Sequence, residues 1–375
     1  MDIDMKASLI YVFFCLMGLA GLSSERVVAQ VKSEDGFVPL FNGINLDGWT
    51  RVNTAESTWS IKDQMLICSG KPIGELRTKR MYQNFILEVE WRHMVPRGNA
   101  GIFVWADDIT AKGVPFHRSI EVQVLENAYG NGGGHTVHGD IFPIHGARMN
   151  PVNGRGGSRA FPVENRSKPS PEWNHYRIEC QGGEVSLAVN GKVVTRGKQC
   201  SPRKGYICIE SEGGVVHYRN MKIKVLPDTP VKKEDVAIAD RGYKCLYEGV
   251  DLSGWQAKGA WSANDWRLRL QGENGVLTSD KAFVAKSFIV DFHSGDLMPT
   301  FEYGGATIDP SQFEKSTLAK GKGWNRLQCD LRDGKVYVQV NGKKAVDPVP
   351  GVASKSNLVV RSAKPCELAN IYVKE

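Results

Sequence analysis

The sequence predicts an all-β protein built as two tandem β-sandwich, jelly-roll domains. Three observations carry that expectation. Runs such as "FILEVEWR", "GIFVWAD", "SIEVQVLE" and "HYRIEC" are short, rich in β-branched and aromatic residues, and bounded by Gly, Asn and Pro. Asn190–Gly191 and Asn341–Gly342 stand between strand-like runs, where an Asn-Gly pair supplies the positive φ of a tight hairpin. Long amphipathic helical patterns are absent, and many short strands with closely spaced turn signals are the pattern of a sandwich or jelly roll.

The tandem arrangement comes from an internal repeat. "GFVPLFNGINLDGWT" (Gly36 to Thr50) returns as "GYKCLYEGVDLSGWQ" (Gly242 to Gln256), 206 residues on. "EWNHYRIECQGGEVSLAVNGKVV" (Glu172 to Val194) returns as "GWNRLQCDLRDGKVYVQVNGKKA" (Gly323 to Ala345), 151 residues on. Two matches in one order imply duplication of a domain. The first copy spans residues 31–226, a polar linker with two prolines spans 227–241, and a truncated second copy spans 242–375. The second copy is 55 residues shorter between its matched motifs, where the first carries residues 98–147 and the loop that follows. It is expected to lack a counterpart of the Glu121 strand and the histidine loop, which assigns the chemistry to the first copy.

Composition narrows the function classes. With 41% hydrophobic and 24% charged residues the chain reads as an ordinary folded protein. Its net charge of +7 is dispersed among acidic residues rather than gathered in runs, which argues against a nucleic-acid partner. At the N-terminus, Lys6 precedes the uncharged 14-residue run "LIYVFFCLMGLAGL". That is shorter than the roughly 20 residues of a membrane span and suits the apolar region of a signal peptide. Residues 1–29 are read as a cleavable signal, with Val27 and Ala29 before the cut, giving an exported, periplasmic or secreted chain without a membrane span. Beyond Cys15, seven cysteines without metal spacing read as buried thiols rather than a disulfide framework.

Strand alternation then proposes a site. In "IEVQVLE", Ile120, Val122 and Val124 pack one way, and Glu121 and Gln123 the other. In "FILEVEWR", Glu88, Glu90 and Arg92 oppose Phe85, Leu87, Val89 and Trp91. Phe103 and Trp105 share a face of "GIFVWAD". If these strands are neighbours, one face presents Glu90, Arg92, Glu121 and Gln123 with Phe103 and Trp105 as aromatic platforms, a surface suited to a sugar. For Glu88 and Glu90 the solvated face is the favoured reading. Directly after the Glu121 strand comes a glycine-rich loop with His135, His138, Asp140 and His145. Its spacing matches no zinc signature, and "GNGGGH" lacks the ending of a phosphate loop.

The ordered motifs "LFNGINLDGW", "GNAGIFVW", "IEVQVLEN", "HGDIFPIHGA", "EWNHYRI" and "VHYRNMKIKVL" resemble the 3-keto-disaccharide hydrolase family over Gly36 to Leu226. The resemblance implies a concanavalin A-like sandwich acting on a sugar or glycoside, with cleavage of 3-keto-glycosides that is metal-aided in some members. The family's Asn-Ser-Gly element corresponds to Asn99–Ala100–Gly101, and its Glu-x-Gln element to Glu121 and Gln123. Its following aspartate is Glu126 here, and its usual Gly-x-x-Tyr is replaced by "HGDIFPI", departures that bear on substrate identity.

The implied chemistry is coherent. A ketone at C3 acidifies the C2 hydrogen, so a base forms an enolate and the C1 substituent leaves; water addition completes net hydrolysis. Glu121 or His138 is the expected base, worth roughly 10²–10⁴-fold. Arg92 or a bound divalent cation would stabilise the enolate. Asn99, Trp105, Gln123, Glu126, His135, Asp140 and His145 would hold substrate. Two other readings remain open at this point: a two-carboxylate glucanase, weakened by Gln123 in the middle of "EVQVLE", and a non-catalytic carbohydrate-binding or cell-envelope protein.

Overall fold

The computed structural model describes residues 35–129, 138–295, 297–319 and 323–375. The expected leader and cleavage site, Cys15 and His135 lie outside these residues. Among the described residues, no helix is long and apolar enough to cross a membrane, and the helical segments are short 3-10 turns.

Two sandwiches of antiparallel sheets follow one another along the chain, as the strand patterns predict. In the first, a six-stranded sheet runs in the order Trp49–Val52, Gly74–Thr78, Tyr206–Ser211, Asn99–Ala106, Ser119–Leu125, Ile141–Ile144. It packs on a nine-stranded sheet centred on Phe85–His93, Asn174–Gln181 and Val216–Val225. Every second residue of each central strand enters the core between them: Leu87, Val89, Trp91, Tyr176 and Ile178 from one sheet, Leu76, Ile102, Val122 and Ile209 from the other. The rings of Trp91 and Tyr176 meet edge to face at 5.2 Å, worth about 0.5–1.5 kcal/mol beyond their burial. The second sandwich has its own core around Phe288, Phe292, Leu327 and Leu368, between a nine-stranded and a five-stranded sheet.

The Asn-Gly hairpins form as expected. Asn190 and Asn341 take φ of +47° and +51°. Their amides donate to Asn174 Oδ1 at 3.0 Å and Asn325 Oδ1 at 2.9 Å respectively. The asparagine of each Trp-Asn motif therefore locks a turn, a structural role. All seven described cysteines are free thiols.

One expectation changes. The second sandwich does retain a strand beside Thr300–Tyr303, in the place the Ser119–Leu125 strand takes in the first: Ala306–Ile308, three residues with no carboxylate. A two-residue Gly304–Gly305 turn, both glycines at positive φ, closes that hairpin. The 227–241 linker is fixed to the first sandwich. Gln83 and Asn84 bind the carbonyls of Thr229 and Pro227, each at 2.7 Å, and Arg241 forms a two-bonded pair with buried Asp108.

Candidate active site

Residues of the six-stranded sheet that do not enter the first core stand on its outer face. Register aligns them in rows. Glu75 pairs with Glu210, whose strand neighbour Ile209 pairs with Ile102. Gly101 pairs with Gln123, and Phe103 with Glu121. The face therefore brings together Glu75, Glu210, Gly101, Gln123 and, one row along, Cys208, Phe103 and Glu121. Gly101 sits between the carboxylates. A Cβ there would lie 2.9 Å from Glu210 Oε2 and 3.0 Å from Glu121 Oε1, so only a glycine leaves both oxygens their position.

The Glu121 strand is held from behind. Tyr176, from the opposite sheet, donates its hydroxyl to the Gln123 carbonyl at 2.8 Å, and the His93 ring bonds the Val124 carbonyl at 2.8 Å. In front, Gln123 donates to Asn99 Oδ1 at 2.8 Å and to the Ala100 carbonyl at 3.1 Å, while Asn99 donates to Glu212. This amide relay fixes Glu212 at the partly exposed edge of the cluster.

Crowded carboxylates in a dry place resist ionisation. Burial pushes the Glu121 carboxyl well above the usual range, as do the charges of Glu212, Glu75 and Asp140, with Arg159 opposing. Glu210 is raised the same way, by burial and then by Glu121, Glu212 and Glu75, and burial raises Glu212. Glu210 Oε2 is buried with no hydrogen-bond partner. At the Glu121 end, Arg159 pairs with buried Asp140 at 2.9 Å and covers the Phe142 ring at 3.3 Å. Phe142 is the cross-strand neighbour of Glu121.

The opposite end carries a second buried group. His117 Nδ1 lies 2.6 Å from Glu75 Oε2, and the His117 backbone N–H donates to Glu75 Oε1 at 2.9 Å. Cys208 Sγ is 3.9 Å from the same ring nitrogen. Phe116 meets Phe103 edge to face at 5.6 Å, and His145, exposed, stacks on Phe116 at 6.5 Å.

Of the residues expected from sequence, Asn99, Glu121, Gln123 and Asp140 share this face or its border. Four others are placed elsewhere. Arg92 lies on the outer face of the other sheet, 3.2 Å from His217 Nδ1 and over the Trp173 ring, because its strand belongs to the nine-stranded sheet. Trp105 is fully buried and donates its indole N–H to the Gln83 carbonyl. A register shift against the Tyr206–Ser211 strand, with φ of +60° at Trp105, breaks the alternation and turns it into the core. Glu126 is a structural anchor that accepts the backbone N–H groups of Arg97, Ala128 and Ser170. Burial opposes its ionisation, but those bonds hold its carboxyl below the usual range. His138 is buried, with proton affinity lowered first by desolvation, and interacts with Asn165 and Glu126.

Sequence reading missed Glu75, Glu210, Glu212 and Arg159. Alternation in "GELRT" and "YICIES" does mark Glu75 and Glu210 as opposed to Leu76 and Ile209. What it lacks is the pairing order that sets those strands beside Gly101.

Residues 36–224 match the family described as the 3-keto-alpha-glucoside-1,2-lyase-like domain. Among solved structures, two provisionally named glycosyl hydrolases from Parabacteroides distasonis are similar. One is 21% identical with a TM-score of 0.41, covering 53% of this chain and 99% of that one. The other is 25% identical with a TM-score of 0.39, covering 51% and 99%. A Bacillus licheniformis β-glucanase is 14% identical with a TM-score of 0.35, covering 51% and 97%. A comparison with curated proteins gives no match.

Proposed function

Since the chain belongs to the 3-keto-alpha-glucoside-1,2-lyase-like domain family, with half its length matched, we propose that its first sandwich cleaves 3-keto-glycosides by elimination across C1 and C2. Membership makes it a carbohydrate-active protein. The observation that carries the finer reading is the convergence of Glu121 and Glu210 on the bare Cα of Gly101.

Glu121 is the base. A carboxylate raised by burial and like charges is a stronger base than one in water, as abstraction next to a ketone requires. It takes the C2 proton, the C2–H electron pair becomes the enolate, and that pair then forms the C1–C2 double bond as the C1–O bond breaks. The proton passes from Glu121 to the departing oxygen, so no further acid is needed. Water added at C1 completes a net hydrolysis. Arg159 stands at the Glu121 end as a cation for the developing oxyanion, and Asn99 and Gln123 set the position of Glu212.

A divalent cation fits these residues. Glu210 Oε2 is buried without a partner, and Glu210 with Glu212 offers the oxygen donors a hard cation prefers. They are the residues that would hold it, and when bound it would act as a Lewis acid on the C3 oxygen. The glucanase reading loses its third strand carboxylate, because Glu126 is consumed by three backbone N–H groups.

The test is release of aglycone from a chromogenic 3-keto-glucoside, with and without chelator, and with magnesium, calcium, manganese or zinc restored. The parent glucoside should remain intact. A wild-type protein that releases nothing under any of these conditions would falsify the proposal.

A further inference from the structure

The turn at residues 107–116 leaves the Asn99–Ala106 strand and returns as Phe116 and His117, at the Glu75 end of the candidate site. Its backbone is gripped by side chains of the second sandwich. Asp291 Oδ2 accepts the Gly113 N–H at 2.8 Å. Asn370 donates to the Ala111 and Val114 carbonyls, each at 3.0 Å, and Arg326 donates to the Thr110 carbonyl at 2.9 Å. Trp324 lies so close to Gly113, whose φ is +73°, that a Cβ there would fall 2.3 Å from its ring.

These contacts are built rather than incidental. Asp291 is fully buried and joined to Arg326 by two 2.7 Å bonds. Breaking one partner of such a pair leaves a buried charge, which is costly. The first sandwich has the same constellation on its own large sheet. Glu90 there accepts from Asn220 at 2.8 Å, as Asp291 accepts from Asn370 at 2.7 Å, and both asparagines are left-handed, at φ of +49° and +50°. In the first sandwich, however, Glu90, His175 and Asn220 line an open groove of about 490 Å³. In the second, Arg326 stands at the repeat position of His175, and its face is filled by the turn.

We propose that the second sandwich is a positioning clamp: it fixes the 107–116 turn and thereby sets Phe116 and His117 against Phe103 and Glu75 on the catalytic face. The catalytic consequence rests on the function proposed above, whereas the clamp itself does not. Asp291 and Trp324 are positioning residues and touch no substrate.

The test uses the full chain, with Asp291→Ala and Trp324→Ala as variants. Arg361→Ala is the control, since its ion pair with Glu302 is exposed and on the other sheet of the second sandwich. Amide hydrogen exchange over residues 107–117 should rise about tenfold or more in both variants, with exchange in Phe85–His93 unchanged. Turnover of a 3-keto-glucoside should fall about tenfold or more in kcat, with KM little changed, as expected when geometry rather than binding is lost. Asp291→Asn, which keeps an acceptor for Gly113, should recover part of both, and it replaces the alanine variant should that fail to fold. Unchanged exchange in folded Asp291→Ala and Trp324→Ala would overturn the clamp, and a loosened turn with unchanged kcat would overturn its role in positioning. Should the wild type show no turnover, the cleavage reading fails and exchange alone decides the clamp.

Discussion

Glu121 and Glu210, from strands that do not pair with each other, aim carboxylate oxygens at the same point above Gly101. The strand between them carries no side chain there, so two acids share a space that would otherwise hold one. Burial, and then the charges of Glu212 and Glu75, keep both well above the usual carboxylate range, and Glu121 raises Glu210 further. A fold does not need such a cluster; it is destabilising unless a proton, a cation or a substrate relieves it.

The glycine gives the sharpest steric test. A methyl at residue 101 would press on both carboxylates at 3.0 Å or less, with Phe103 Cε1 also 3.0 Å away. Gly101→Ala should fold, at a cost of about 1–3 kcal/mol for overpacking. Its turnover should drop on the order of 10²-fold, because displacement by a fraction of an ångström separates base from proton. Thermal melting together with steady-state kinetics on the same preparation reads both effects. Retention of wild-type kcat would show that the two carboxylates need not converge there.

The raised acids also make a prediction about pH and stability. The folded state holds the Glu210 proton at pH values where the unfolded chain, with the ordinary glutamate value of 4.5, has released it. Between that value and the raised folded one, the native state binds more protons, so stability falls as pH rises. Glu210→Gln removes the titration and keeps the shape. It should leave stability nearly unchanged below pH 4.5 and raise it above that of the wild type by pH 8, while lowering turnover. Thermal unfolding of both proteins from pH 4 to 8 checks this. A variant less stable than wild type at pH 8 would mean that the Glu210 charge is already compensated.

Local periodicity made the architecture legible. Hydrophobic alternation identified the faces of the Phe85–His93 and Ser119–Leu125 strands, and the Asn-Gly pairs located both hairpins. The failures came where one strand's behaviour depends on another. Alternation tells which way the Arg92 side chain points, not which sheet its strand joins, so the pattern alone sets it beside Glu121. The bulge against Tyr206–Ser211 that turns Trp105 inward leaves no mark in "GIFVWAD", whose alternation points it outward with Phe103. Glu210, 89 residues beyond Glu121, became a neighbour only through the order of the sheet.

The two candidate bases can be separated by substitution. Glu121 is surrounded by charges that raise its proton affinity, within the carboxylate cluster. His138 is turned towards Asn165 and Glu126, and desolvation keeps its imidazole neutral. Loss of a general base costs roughly 10²–10⁴-fold. Glu121→Gln should therefore lose about that much in kcat, with binding of the 3-keto-glucoside retained. His138→Ala should lose less than about tenfold, through packing near Glu126 rather than through chemistry. Proton exchange at C2 of the substrate, followed in deuterated water, isolates the abstraction step from departure of the aglycone. If exchange survives in Glu121→Gln and disappears in His138→Ala, the base is the histidine, and the acidic cluster serves the cation or the leaving group instead.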